Sequence, residues 1–282
     1  MLNNRILQEI ESLDPVRDHQ RIVYLSSCYE FPFDTTRSLE LALFRTFAVD
    51  KGTPLLASTG EFTRRTQKRY DDTYLILSEI MENGYDSPRG RAALRRMNRM
   101  HGHYTIPNDE FLYTLSTFIY EPLRWNARFG WRPLTDKEKL ATFEYWRQVG
   151  RRMNIKELPD DIEAFEAFNV AYEENHFRYS DSNHVIAAAT RDMLLGWYLP
   201  APLKRFGAPF IHAILDDATL DAVGFPRPAP WVRKVVTAAF RLRGRVVRRL
   251  PRRRKPYLFT RRRMRTYPRG YQVEKLGVFF ND

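Results

Sequence analysis

Two histidines, His101 and His103, stand at the end of the run RGRAALRRMNRMHGHY, just ahead of the almost uninterrupted apolar stretch DEFLYTLSTFIY. An imidazole beside a buried helix can ligate a metal, although on spacing alone the more ordinary role of such a histidine is a structural hydrogen bond. The surroundings are rich in Phe, Tyr, Met and Leu. A flat apolar prosthetic group such as haem needs a slot of that kind, one imidazole, and cations for its propionates. Arg69 and Thr73 lie four residues apart on the preceding helical stretch and so share a face. A guanidinium there could meet a carboxylate bidentately, and the hydroxyl could hydrogen-bond a polar ligand. Taken by itself, Arg69 reads as a solvated surface arginine.

The other reactive residues form no complete set. Glu173-Glu174-Asn175-His176 contains the Glu-x-x-His spacing of di-iron bundles, which require a second copy and two further glutamates. None of the other histidines has Glu three residues before it; His184 has Asp181. Cys28 is the one cysteine, too few for a structural zinc cluster, and reads as a small buried hydrophobe. There is no H-E-x-x-H and no phosphate-cradling glycine loop.

Helices must position these residues. Asp34 to Thr36 can cap a helix over 38–48, and a second spans 62–83, with Tyr70, Tyr74, Leu77, Ile80 and Met81 recurring at three and four and Gly84 ending it. Ser87-Pro88 starts the helix that ends in His101. Asn108 caps the next, which Glu121-Pro122 should stop, leaving Trp125, Gly130 and Trp131 in a loop. Thr135-x-x-Glu138 is a capping box. Further helical runs cover 162–177, 183–197, 217–223 and 231–250. Without alternating strands or repeats, this predicts an all-α fold of eight or nine helices.

With 282 residues, 43% of them hydrophobic, one domain with a large core is expected. Residues 1–230 read as the helical domain and 231–282 as a basic helix and tail packed on it or extending from it. The net charge of +12 is local: from Arg233 to Arg269 there are 16 Lys and Arg and no acid, leaving 30 of the 46 basic residues against all 34 acidic ones. On a helix, Val232, Val235, Val236, Ala239, Phe240, Val246 and Leu250 form a stripe with arginines outside it, suited to an anionic membrane surface. Pro251 and the cluster Arg252 to Lys255 favour an exposed arm. Aromatic residues lie mostly outside the basic run, which argues against a nucleic-acid partner. No apolar stretch is long enough to cross a bilayer, and the opening MLNNRILQEIESLDPVRDHQ lacks the apolar run of a secretory signal. A cytoplasmic, unsecreted protein, peripheral at a membrane, is therefore expected.

Several stretches carry a resemblance. IVYLSSCYEFPFDTTRSLELALFRTFAV, TGEFTRRTQKRYDDT, RRMNRMHGHYTIPNDEFLYTLSTFIYEPLRW, GWRPLT-x-x-E, YEENHF, LDDATLDAVGFPRP and YPRGY run from Arg21 to about Gly277. Together they resemble the MpaB-type oxygenases, whose more distant relatives include the rubber oxygenases. The resemblance implies an all-α, globin-like core around haem b. Met100-His101-Gly102, followed by Ile106-Pro107-Asn108, matches the axial-histidine pattern of that family. It implies that His101 is the iron ligand and that His103 is not. Arg69 and Thr73 match the distal-side arginine and threonine. Where rubber oxygenases carry a lysine before that threonine, this chain has Asp72, which argues against polyisoprene as the substrate.

The chemistry so implied is haem-dependent insertion of oxygen from O₂ into a lipophilic, prenyl-type substrate, or oxidative cleavage of its C=C bond. Arg69 and Thr73 would polarise oxygen or hold a propionate. Glu61 and Asp72 are candidate bases by proximity in sequence alone. The competing expectation is a haem-binding sensor or carrier without turnover.

Overall fold

A computed structural model describes residues 5–280. The chain enters through α1 (Arg5–Ser12) and α2 (His19–Leu25) and, after a wide turn over Ser26–Glu30, forms α3 (Pro32–Thr46). Two short helices, α4 (Thr53–Thr59) and α5 (Glu61–Arg64), lead to α6 (Thr66–Asn83) and α7 (Pro88–His101). The long α8 (Asn108–Phe129) and α9 (Asp136–Arg152) follow, then α10 (Ile162–His176) and α11 (Asp181–Leu195). The last helices are α12 (Lys204–His212), α13 (Asp217–Ala222) and α14 (Pro230–Arg249). Among the described residues there is no strand, only an isolated bridge between Val49 and Phe177. The fold is all-α, as expected.

Local chemistry explains most boundaries. Ser87 accepts the Gly90 amide at 3.0 Å with Pro88 at the first helical position. Thr135 and Glu138 complete the reciprocal capping box of α9. Elsewhere the packing overrides local signals. Pro122 does not stop α8, which runs on to Phe129 and carries Trp125 inside it. A proline removes one helical hydrogen bond, whereas continuing the helix buries Trp125 and Phe129, each side chain contributing about 1.5–3 kcal/mol. Asn108 does not cap α8; its side chain instead bridges to the backbone of Lys156, at 3.0 and 2.8 Å. Asp34 is not a cap either. It lies buried inside α3, accepting from Trp125 Nε1 at 2.9 Å and pairing with Arg243 at 2.6 Å.

The buried apolar residues form two main clusters. One joins α2, α6, α7, α9 and the middle of α8, and includes Ile76, Leu94, Met97, Leu115 and Val149. The other joins α3, α11, α13 and the end of α8, and includes Phe44, Phe47, Phe62, Tyr70 and Trp125. Tyr74 packs against both.

The C-terminal region is no free arm. On α14, Val232 and Val236 are buried, and the Phe240 ring lies 5.1 Å from both Trp125 and Phe129. The predicted stripe is thereby divided, because Val235, Val246 and Leu250 face outward. Beyond it, the chain crosses back over the first cluster. Tyr257 N–H bonds to Cys28 O at 2.8 Å, Thr266 N–H to Asp71 at 2.9 Å, and Tyr271 O–H to Glu79 at 2.6 Å.

Several buried carboxylates are paired with arginines. Arg132 joins Glu30 and Glu138, both almost fully covered, at 3.0 and 2.6 Å. Arg132→Met leaves two buried carboxylates without their cation and should destabilise the fold by about 3–5 kcal/mol. Urea unfolding measures this, and a loss below 1 kcal/mol would show that water reaches the pair.

Candidate functional site

The helix bearing His101 is fixed from both sides. Ala93, Leu94 and Met97 bury its apolar face. Arg96 donates to the carbonyls of Leu276 and Val278 at 2.5 and 2.6 Å, and Asn98 donates to Arg152 O at 2.8 Å. His101 is the last residue of α7, and Gly102 N–H closes the turn onto Asn98 O at 2.9 Å. Its ring meets the edge of Phe111, with centroids 5.3 Å apart. Among the described residues no hydrogen bond reaches its fully buried Nδ1. Burial, with a further contribution from the Arg69 charge, lowers its pKa to about 4. The imidazole is thus neutral near pH 7, with an unshared lone pair.

Arg69 and Thr73 lie on α6, which packs along α7. The Arg69 guanidinium donates to the Thr73 hydroxyl and sits 4.9 Å from the centre of the Phe62 ring. No carboxylate among the described residues lies within ion-pair distance of it. Burial lowers its pKa, while Asp72 and Glu61 act in the opposite direction. The surface-arginine reading is corrected here: Arg69 is a partly buried cation facing inward.

His101, Arg69 and Thr73 line one cavity of about 330 Å³ between the two clusters. Its walls are overwhelmingly apolar, with Leu39, Phe47, Met97, Leu115, Phe118 and Trp146 among them. Phe118 and Trp146 stack with centroids 4.9 Å apart. A cavity of this size and polarity suits an organic ligand.

His103 is exposed and stacks on Phe280 at 3.6 Å. Glu61 and Asp72 both reach the cavity wall, but each has a cation. Arg65 pairs with Glu61, and Lys68 pairs with Asp72 at 2.6 Å. Asp72 also accepts from the Tyr267 hydroxyl, so it ties the C-terminal segment to α6. Neither is an obvious base. Glu173 is committed to Arg45 at 2.8 Å and Tyr113 at 3.1 Å, and among the described residues no metal-binding group of His, Cys, Asp and Glu exists. The half-present di-iron spacing therefore has a structural role.

Sequence reasoning missed the wall supplied by the C-terminal segment: Phe259, Gly277, Val278 and Phe280. Gly277 adopts φ 80°, and a Cβ there would lie 2.0 Å from Met100 Sδ. Only the last glycine of YPRGYQVEKLG hinted at such an approach.

Comparison with known proteins now bears on this geometry. The family described as "ER-bound oxygenase mpaB/B'/Rubber oxygenase, catalytic domain" matches residues 41–249, a span that takes in Arg69, Thr73 and His101. This chain belongs to that family. It is 30% identical over 236 residues to ER-bound oxygenase mpaB' of Penicillium brevicompactum, covering 78% of this chain and 56% of that protein. It is also 30% identical over 205 residues to ER-bound oxygenase mpaB of Penicillium roqueforti (strain FM164), covering 67% of this chain and 69% of the relative. The first match thus spans little more than half of that relative. The family match ends before the C-terminal wall of the cavity.

The lowered His101 pKa has a pH consequence in the metal-free chain. The unfolded imidazole takes its proton near 6.5 and the folded one near 4, so between these values the unfolded state binds more protons and stability falls as pH falls. His101→Phe should flatten stability across that window, as followed by urea unfolding. An NMR titration placing His101 above pH 6 would contradict the burial argument.

Proposed function

We propose that this chain is a haem b-dependent oxygenase acting on a lipophilic, prenyl-type substrate, by oxygen insertion or by oxidative cleavage of a C=C bond. One observation carries the reading: an unbonded neutral imidazole and an unpaired guanidinium line the same apolar cavity. Haem is a largely apolar group whose iron takes an imidazole and whose two carboxylates take donors, so the residues present would fit it. His101 would supply a nitrogen ligand to the iron. When bound, haem supplies the activation of molecular oxygen.

The chain's own residues do the rest. Arg69 offers a fixed positive charge for a propionate or for negative charge developing on the reacting oxygen, where a preorganised donor contributes most. Thr73 holds the guanidinium in place and adds a hydroxyl. The Leu, Met and Phe walls take the alkyl chain of a substrate and keep water from reactive species. Family membership supports an oxygenase, and the relatives bear that word in their names. A globin-like arrangement of the haem helices and a division of the chain near residue 230 belong to the same reading. So does a peripheral position on the cytoplasmic side of an anionic membrane, reached through the basic segment from Arg233 to Arg269, where a lipid-dissolved substrate would be met. No helix among the described residues is long and apolar enough to cross a membrane.

Titration with haem tests the assignment. The parent and His103→Ala should each develop a Soret band at one haem per chain, and His101→Ala should lose it or hold haem loosely. Equal binding by His101→Ala removes the ligand assignment. Oxygen uptake with an isoprenoid alcohol tests turnover. Arg69→Met and Thr73→Val should keep haem and lose activity by about 100-fold, the usual effect of removing one preorganised donor. Haem binding without uptake in the parent would return the sensor or carrier reading.

A further inference from the structure

The outward side of α14 presents a second stripe, distinct from the one that packs inward. Trp231, Val235, Leu242, Val246 and Leu250 are all about half exposed or more, Trp231 at 62% and Leu242 at 57%. Their spacings of four, seven, four and four keep them on one side of the helix. The opposite side carries Val232, Val236 and Phe240 into the body, with Arg243 locked to Asp34. Gly244 lies against the end of α8, where an added Cβ would stand 3.1 Å from Phe129 O. The helix is therefore bolted down, and its exposed stripe is a fixed surface.

Alongside, α12 packs against α14 and exposes Phe206 at 61% and Phe210 at 47%. Soluble surfaces seldom gather this many large apolar side chains in one place, and such patches mark contacts with an apolar phase. Charge selects among the occupants. Lys234, Arg241, Arg245 and Arg248 run along one flank of the stripe and Arg249 lies at its end. None has a carboxylate within ion-pair distance among the described residues. By contrast, Arg233 is taken up by Asp217 and Arg243 by Asp34. A row of unpaired cations beside aromatic and aliphatic tips complements a layer with acidic headgroups above hydrocarbon. A polyanion without an apolar layer would leave the tips in water.

We propose that the outward faces of α12 and α14 form a membrane-insertion surface. Trp231, Leu242 and Phe206 enter the headgroup–acyl boundary of an anionic bilayer, and Lys234, Arg241, Arg245 and Arg248 contact its phosphates and carboxylates. This rests on the reading of the protein as peripheral at an anionic membrane, and it adds which face inserts.

The test uses the full chain with vesicles of phosphatidylcholine alone and of phosphatidylcholine with phosphatidylserine. The parent should co-sediment with the acidic vesicles only and be released as salt rises. Brominated acyl chains should quench its fluorescence, and Trp231→Phe should abolish the quenching. Trp231→Ser/Leu242→Ser/Phe206→Ser should bind acidic vesicles about tenfold or more weakly, with an unchanged circular dichroism spectrum and melting curve, because all three side chains are exposed. Arg241→Glu/Arg245→Glu/Arg248→Glu should lose binding and salt dependence together. If the apolar triple variant sediments like the parent and Trp231 is not quenched, insertion through this face is overturned while peripheral binding stands. If the parent ignores acidic vesicles, both fail. Binding of the parent and the apolar variant alike to a homopolymeric RNA, with no vesicle binding, would assign the surface to nucleic acid and overturn the proposal.

Discussion

An apolar cavity inside a helical domain is the constraint around which this structure is built. Helices that line a cavity do not pack on one another across it as they would in a close-packed core. The walls must therefore be held by interactions made on their far sides. Arg45 does this for α3, reaching Glu121 on α8 at 2.7 Å, Glu173 on α10 at 2.8 Å, and Asp216 at the start of α13. Arg132 does it between α9 and the turn before α3. On the opposite wall, Glu79, Glu82, Asp71 and Asp72 of α6 hold Tyr271, Thr260, Thr266 and Tyr267 of the C-terminal segment.

Against that background of paired charges, the cavity residues stand out by what they lack. His212 is more deeply buried, and its pKa is likewise lowered to about 4; its Nε2 has no partner among the described residues, but its Nδ1 bonds to Pro226 O at 3.1 Å and its ring stacks on Phe225. His101 has the ring contact, but among the described residues its buried Nδ1 has no hydrogen bond. Arg69 has an aromatic face and a hydroxyl, where Arg45 has three carboxylates. Buried polar groups usually find partners because leaving them unbonded costs about 1–3 kcal/mol each. A cost of that kind falls on His101 Nδ1, and a ligand of the proposed kind would relieve it while giving Arg69 an anion.

Much of this was legible in the chain because it rests on short-range chemistry. Ser87-Pro88, the Thr135–Glu138 box and the three- and four-residue apolar spacings act within one or two helical turns, so the helices that carry Arg69, Thr73 and His101 could be read directly. The shared face of Arg69 and Thr73 follows from helical geometry alone, and their hydrogen bond agrees with it. Pro122 misled for the converse reason: its local cost is outweighed by burial of Trp125 and Phe129, which depends on α3 and α14 being present. The stripe on α14 misled similarly. Periodicity cannot distinguish an apolar side facing the body from one facing outward when a helix has both.

By itself, then, the sequence determined the all-α class, the caps and spans of the principal helices, the concentration of charge in residues 233–269, and the motifs that place the chain in its family. Only the tertiary structure decided that the unbonded His101 Nδ1 and an Arg69 without a carboxylate face one cavity, that Asp72 is neutralised by Lys68 and bonded by Tyr267, and that the C-terminal segment closes a wall through Gly277, Val278 and Phe280. The physical reason is sequence distance. Lys68 donates to Gly277 O across 209 residues at 2.9 Å, a contact that neither residue's neighbours encode and that exists only when α6, α7 and the end of the chain are packed together.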